Sequence, residues 1–235
     1  MNHERKSGRR ELVTGIGLLA VFAVWTMLIQ LVDVQAAGPD GTKIGFAAFN
    51  VWFHQLTSVH LTIYTITDWL GLVPIFICLC FGVLGFVQLI KRRSLLRVDP
   101  DILLLGGYYV VVIFCYLIFE MIPINYRPVL IEGRLEASYP SSTTLLVLSV
   151  MPTLMFQMDR RTRDPRIRRT AAVFVIAFSA FMVIGRLLSG VHWGTDIIGS
   201  ILLSAGMFSL YRSAVLSADG KRAKQLPEES VNGIQ

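Results

Sequence analysis

Three polar strings in an otherwise apolar chain carry the residue types that could do chemistry. The first reads Glu120-Met-Ile-Pro-Ile-Asn-Tyr-Arg127-Pro128. The second reads Arg134-Leu-Glu136-Ala-Ser-Tyr139-Pro140-Ser141-Ser142-Thr143-Thr144, and the third runs from Gly185-Arg186 through Ser189-Gly190-Val191-His192 to Trp193-Gly194-Thr195-Asp196. His192 and Asp196 are four apart, so on a helix they share a face and an Asp–His hydrogen bond is expected. A carboxylate that orients an imidazole and stabilises positive charge on it prepares that ring as a nucleophile or base. Arg127 and Arg186 offer planar donor forks suited to a phosphate. Pro140-Ser141-Ser142-Thr143 is read as a helix start, whose free N–H groups and hydroxyls suit an anion. Taken singly, His192 with Asp196, or Ser141, could be no more than helix caps. Together with the arginines they point to an oxyanion site.

The elements that must position these groups are membrane helices. Of 235 residues, 54% are hydrophobic and only 16% are charged, both displaced from soluble-domain values of about 45–50% and about 25%. Six segments approach the about 20 apolar residues needed to span a bilayer: Leu12–Leu31, Leu72–Ile90, Ile102–Phe119, Ser142–Met158, Ala171–Leu188 and Trp193–Val215. The fourth is short and contains Pro152, which implies a kink or an extension beyond Met158. The first follows a basic leader and precedes small residues, as in a signal peptide. Its apolar run of about 20 exceeds the usual 7–15, so it is read as a retained span. The fold class expected is all-α and polytopic: a basic leader over 1–11, a six-span domain over 12–215, and a polar, disordered cytoplasmic tail over 216–235.

Charge sets the orientation. Of 22 Lys and Arg, 18 fall before the first span (Arg5, Lys6, Arg9, Arg10), between the second and third, between the fourth and fifth, or after the sixth. The positive-inside rule places those segments and both termini in the cytoplasm, which accounts for a net charge of +6 without any nucleic-acid partner. Lys43, Arg127, Arg134 and Arg186 are left on the disfavoured outer side, where an anionic ligand is the obvious reason for them. The outer segment Val32–Gly71 carries Phe46, Phe49, Trp52, Phe53 and Leu56 at helical spacing. Either a helix lying in the membrane interface or a cap packed on the bundle fits that pattern. His54 and His60, six apart with no carboxylate at ligand spacing, are read as structural, and Cys78, Cys80 and Cys115 as buried thiols. No metal and no cofactor is called for.

At the three strings the sequence resembles the type 2 phosphatidic acid phosphatase superfamily, membrane lipid phosphatases related to vanadium haloperoxidases. The family pattern is Lys-x6-Arg-Pro, then Pro-Ser-Gly-His, then Ser-Arg-x5-His-x3-Asp. Here Arg127-Pro128, Pro140-Ser141 and the spaced trio Arg186, His192 and Asp196 match, over a likeness that extends from about Phe49 to Tyr211. Glu120 stands at the Lys position, Ser142 at the Gly, Thr143 at the second-motif His, and Gly185 at the Ser. The resemblance implies a multi-pass plasma-membrane enzyme, of a compact size that suits bacteria, with its site on the extracytoplasmic face. His192 would attack phosphorus to give a phosphohistidine, Asp196 would orient it, and Arg127, Arg186, Ser141 and Ser142 would bind phosphate.

The family His protonates the leaving group, and a Thr hydroxyl does not do so near neutrality. General acid catalysis is worth about 10²–10⁴ in rate, but a phosphate leaving group departs without it. The expected substrate is therefore a lipid phosphate or, preferably, an isoprenoid diphosphate such as undecaprenyl diphosphate. Glu120 or Glu136 is a candidate substitute acid, and a purely structural pairing of Glu120 with Arg127 or Arg134 is the other reading. Two alternatives stay open: a weakened lipid-phosphate-binding protein, and a transferase using the same His192 chemistry on another acceptor.

Overall fold

Between helices in lipid there is no solvent-driven apolar attraction, so a membrane bundle must be held by close packing and interhelical hydrogen bonds. The computed structural model, which describes residues 2–232, shows both. Eight α-helices follow one another: α1 (Asn2–Leu31), α2 (Ala47–Thr57), α3 (Leu61–Leu70), α4 (Leu72–Arg92), α5 (Pro100–Met121), α6 (Ser142–Arg161), α7 (Pro165–Leu188) and α8 (Gly194–Asn232). Antiparallel α1 and α8 form the most extensive contact. It depends on Gly206 of α8, where a Cβ would stand 2.8 Å from Leu19 Cδ2 of α1. Trp25 closes one end by donating from Nε1 to the Thr195 carbonyl at 3.2 Å.

Among the described residues, five helical stretches are long and apolar enough to cross a membrane, over Lys6–Leu31, Leu61–Arg92 (α3 continuing into α4), Pro100–Met121, Pro165–Leu188 and Gly194–Lys221. Their outer faces expose a belt of large apolar side chains, among them Val24, Phe76, Phe86, Val110, Phe114, Ile176 and Phe181. A surface of that kind is far larger than a soluble monomer tolerates. The expected fourth span, now α6, does not reach the same apolarity. It runs beyond Met158 to Arg161, with Pro152 inside it. The physical reason is its position among the other helices, where Ser149, Thr153 and Gln157 are fully buried. Tyr108 donates to the Ser149 carbonyl at 3.0 Å, Tyr109 shares a 2.7 Å bond with Thr153, and Gln157 donates to the Tyr211 hydroxyl at 2.6 Å.

The segment expected as a basic leader is helical from Asn2 and continuous with α1. Helix α8 extends into the segment expected as a polar tail, and Arg160 grips Asp219 near its start with two bonds of 2.7 and 3.0 Å. Met1 and residues 233–235 lie outside the described residues. The cysteines are not buried thiols as a group: Cys80 is exposed on the apolar outer face of α4, and Cys78 and Cys115 are half-buried. In the outer segment, α2 and α3 sit on the end of the bundle. Phe46 stacks on Trp25 and His54 tilts against Trp193, while Trp52, Leu56 and Trp69 stay exposed.

The end of the bundle away from His192 is tied by ion pairs. Asp101, nearly buried at the start of α5, accepts from Arg161 at 2.7 Å and from Arg160 at 3.4 Å. Replacing Asp101 by Asn removes the charge these guanidiniums share and lowers stability by about 1–3 kcal/mol. Asp219→Asn, in a more exposed pair, costs less than about 1 kcal/mol. Thermal unfolding in detergent checks this, with a clear drop in Tm for the first variant and little change for the second.

Candidate functional site

The three polar strings converge at one end of the bundle. Arg186 lies in the last turn of α7 and is 1% exposed, while His192 follows in the tight turn between α7 and α8 and is 3% exposed. That turn needs Gly190, whose φ is +69° and whose Cβ, if it had one, would lie 2.0 Å from the Ser58 carbonyl oxygen. The α2–α3 connection holds the turn from outside. The His60 amide donates to the Ser189 carbonyl at 3.0 Å, and His54 Nε2 donates to the Gly190 carbonyl at 3.1 Å. This is a structural role for His54, as its surroundings in the sequence implied.

His192 and Asp196 do not share a helix face, because α8 begins only at Gly194. Asp196 in the first turn of α8 instead reaches back, accepting from the Trp193 amide at 2.9 Å through Oδ2. This is the return half of a capping box. Its Oδ2 stands 3.7 Å from His192 Nδ1, within electrostatic reach but beyond a hydrogen bond. The ring is fixed by other partners: Nδ1 lies 3.1 Å from the Ser138 carbonyl and Nε2 lies 3.2 Å from Arg186 Nη2. A carbonyl can only accept and a guanidinium can only donate. Nδ1 therefore carries the proton, and Nε2 turns its lone pair toward Arg186. Burial, followed by the charges of Arg186 and Arg127, holds the ring well below the usual histidine pKa.

Both arginines are held with donors to spare. Arg127 Nε is 3.1 Å from Glu136 Oε2, but Nε and Nη1 are buried without a hydrogen-bond acceptor. Arg186 Nη1 is 3.7 Å from Asp68 Oδ1 and 3.5 Å from Thr67 Oγ1, while its Nε has no acceptor. Tyr64 lies against both guanidiniums, its ring centroid 5.8 Å from Arg127 and 4.9 Å from Arg186. Two like charges sharing one ring, with unsatisfied buried N–H groups and a neutral imidazole beside them, form a cradle for an anion.

At the start of α6, Ser141 is the cap residue, and its hydroxyl donates to Thr144 Oγ1 at 3.1 Å. Ser142 and Thr143 are half-buried at the helix N-terminus, where first-turn amides have no intrahelical partner. Asp68, Ser142 and Thr143 line one cavity of about 260 Å³. Glu136 is drawn in by Arg127. Glu120 and Arg134 are exposed, and neither has a side-chain ion pair among the described residues.

The structure also supplies partners that spacing did not single out: Tyr64, Thr67 and Asp68 on α3, Ser138, and Asn125, whose amide reaches Asp196 Oδ1 at 3.4 Å. Thr67 explains the Gly at position 185, since a Cβ there would come within 2.7 Å of its methyl. Only the disfavoured outer-side Arg186 hinted that some group must face it.

A family model described as the PAP2 superfamily matches residues 75–217. Among solved structures, the chain is similar to "the first transmembrane PAP2 type phosphatidylglycerolphosphate phosphatase from Bacillus subtilis". The TM-score is 0.61 at 14% identity, over 88% of this chain and 96% of that one. No curated protein matches.

The His192 ring should remain neutral as pH falls through about 6.5, where an ordinary histidine takes its proton. Because an unfolded chain binds that proton and the folded one does not, folding stability declines as pH drops below that value. Titration of ¹⁵N-labelled histidine by NMR, with His192→Gln for assignment, should give a His192 midpoint below 6.5. A midpoint at or above 6.5 contradicts this electrostatic picture.

Proposed function

The chain belongs to the PAP2 superfamily, and from that premise we propose that it is an integral membrane lipid phosphatase with His192 as nucleophile. The observation that carries this reading is the buried pair Arg127 and Arg186, with unsatisfied N–H donors, beside the unprotonated Nε2 of His192. Nε2 attacks phosphorus, the N–P bond forms, and the bond to the leaving oxygen breaks. The arginines hold the remaining phosphoryl oxygens, with the α6 N-terminus, Ser141 and Ser142 alongside. Positive charge arising on the ring is met by the Ser138 carbonyl at Nδ1 and by the Asp196 carboxylate 3.7 Å away. Water then attacks phosphorus, releasing inorganic phosphate and restoring the neutral ring.

The preferred substrate is a lipid diphosphate of the isoprenoid type. Thr143, at the position where the family acid sits, has no proton to give near neutrality, and Glu136 is engaged with Arg127. A diphosphate leaves as a lipid monophosphate that bears its own charge and needs no acid. The membrane arrangement that goes with this reading has six spans, α6 included, both ends in the cytoplasm, and the site on the extracytoplasmic face of the plasma membrane. The basic clusters, which lie at the end of the bundle away from His192, support that orientation.

Phosphate release from a C55 diphosphate by the detergent-purified protein should exceed release from phosphatidic acid by about 10²-fold or more in kcat/KM, the worth of a missing general acid. Release should vanish in His192→Ala and be inhibited by orthovanadate, a mimic of five-coordinate phosphorus. Thr143→His should raise turnover of phosphatidic acid while leaving the diphosphate nearly unchanged. Equal use of both lipids by the parent protein overturns the leaving-group argument, and activity that survives in His192→Ala overturns the nucleophile.

A further inference from the structure

Two cavities lie along the seam between helices α4 and α5. Next to the site lies the cavity of about 260 Å³. Its walls pass from Asp68, Ser142 and Thr143 to Leu72 and Ile75 of α4 and Val112, Ile113 and Tyr116 of α5. A second cavity, of about 430 Å³, takes over one helical turn further on. It begins at Cys78 and Tyr109 and ends near Leu89 and Leu95. The two lie end to end along one seam. From Leu72 to Leu89 the seam is about 26 Å long at 1.5 Å per helical residue. One leaflet of a bilayer core is only about 15 Å deep, half of the full thickness.

The inner cavity is open where its walls carry Gly82, Gly106 and Gly107, whereas at Gly85 the helices approach, a Cβ there lying 3.0 Å from Ile102 Cγ2 of α5. A Cβ at Gly82, Gly106 or Gly107 would meet nothing within 4 Å. Glycine in a helix interior is less favourable than alanine, so these three positions leave the seam open against local preference. At its far end the seam is closed by a clamp. Gln88 donates to Asp99 Oδ2 at 2.8 Å and accepts from the Asp99 amide at 2.9 Å, and Arg92 pairs with Asp99 at 2.7 Å.

We propose that this seam is a binding slot for the substrate's tail, and that it selects a single long chain extending from the phosphate cradle through both leaflets. The proposal rests on the phosphatase reading and deepens it, by assigning the substrate class to long-chain polyprenyl diphosphates. The polar end of the slot holds Asp68, 3.7 Å from Arg186, so a phosphate on the arginines places its lipid chain at the slot's mouth. A chain confined to one leaflet fills only the outer cavity. A chain that crosses the midplane gains close packing against the apolar walls of the inner one as well, the same kind of contact that holds the helices together in lipid.

The test fills the inner cavity and reads tail length. Gly82→Leu and Gly106→Leu place side chains into open space and raise helix propensity, so both should fold. Gly17→Leu, at an equally open position on α1, serves as control. In the parent protein kcat/KM should be higher for a C55 than for a C15 diphosphate. In the two leucine variants that ratio should fall at least tenfold, with C15 turnover within twofold of the parent, and Gly17→Leu should leave it unchanged. Native mass spectrometry with C55 and C15 monophosphates provides a second readout that needs no turnover. Preferential retention of C55 that is lost in the leucine variants supports the slot even where no diphosphate is hydrolysed, an outcome that would count against the phosphatase reading alone. A C55 preference that persists with the cavity filled, or no preference for C55 in the parent by either readout, overturns the slot.

Discussion

Placing two guanidinium groups and a histidine together inside a membrane protein is the demand around which the rest of the structure is arranged. Charge at that depth is costly unless it is paired or awaits a partner. Arg127 and Arg186 each lean on one partly exposed carboxylate, Glu136 or Asp68, and both face the ring of Tyr64. Burial, reinforced by the positive charge of the two guanidiniums, keeps the imidazole neutral. In the proposed reaction the same two cations bind the anion and preserve the lone pair that reacts with it.

Long-range contacts hold this arrangement rigid. The His192 turn is fastened to the α2–α3 connection through Ser58, His60 and His54. Asn50 of α2 is tied to Thr195 at the head of α8 by a 3.0 Å side-chain bond. Trp193 donates to the Tyr126 carbonyl at 2.7 Å, which joins α8 to the segment that carries Arg127. The outer segment is thus part of the site's frame as well as a cover for the bundle. Against this fastened outer end, the α4–α5 seam is the loosely filled part of the molecule.

The helices were legible because each membrane element must supply its own run of apolar residues; the ends of α4, α5 and α6 fall close to the expected ones, while α1 and α8 continue beyond their apolar runs into polar sequence. α6 departs from that rule for a physical reason: a helix surrounded by others can bury Ser149, Thr153 and Gln157 against tyrosines instead of facing lipid. The third motif could be read at Arg186, His192 and Asp196, but not its geometry. The four-residue spacing suggested a shared helix face, whereas Gly190 turns the chain before α8 begins and Asp196 is occupied with capping that helix. Tyr64, Thr67 and Asp68 were illegible, since they meet Arg186 across more than a hundred residues and no local period marks such a contact. Ser138 acts through its backbone carbonyl, which its side-chain identity does not reveal.

The central claim is that Nε2 of His192 receives the phosphoryl group. Rapid-quench reaction with a ³²P-labelled lipid diphosphate, followed by peptide mapping, tests it most directly. Acid-labile, base-stable label on the peptide containing His192, formed and discharged at rates compatible with turnover, is the result this account predicts. Turnover without any protein-bound label, or label on a residue other than His192, would contradict it.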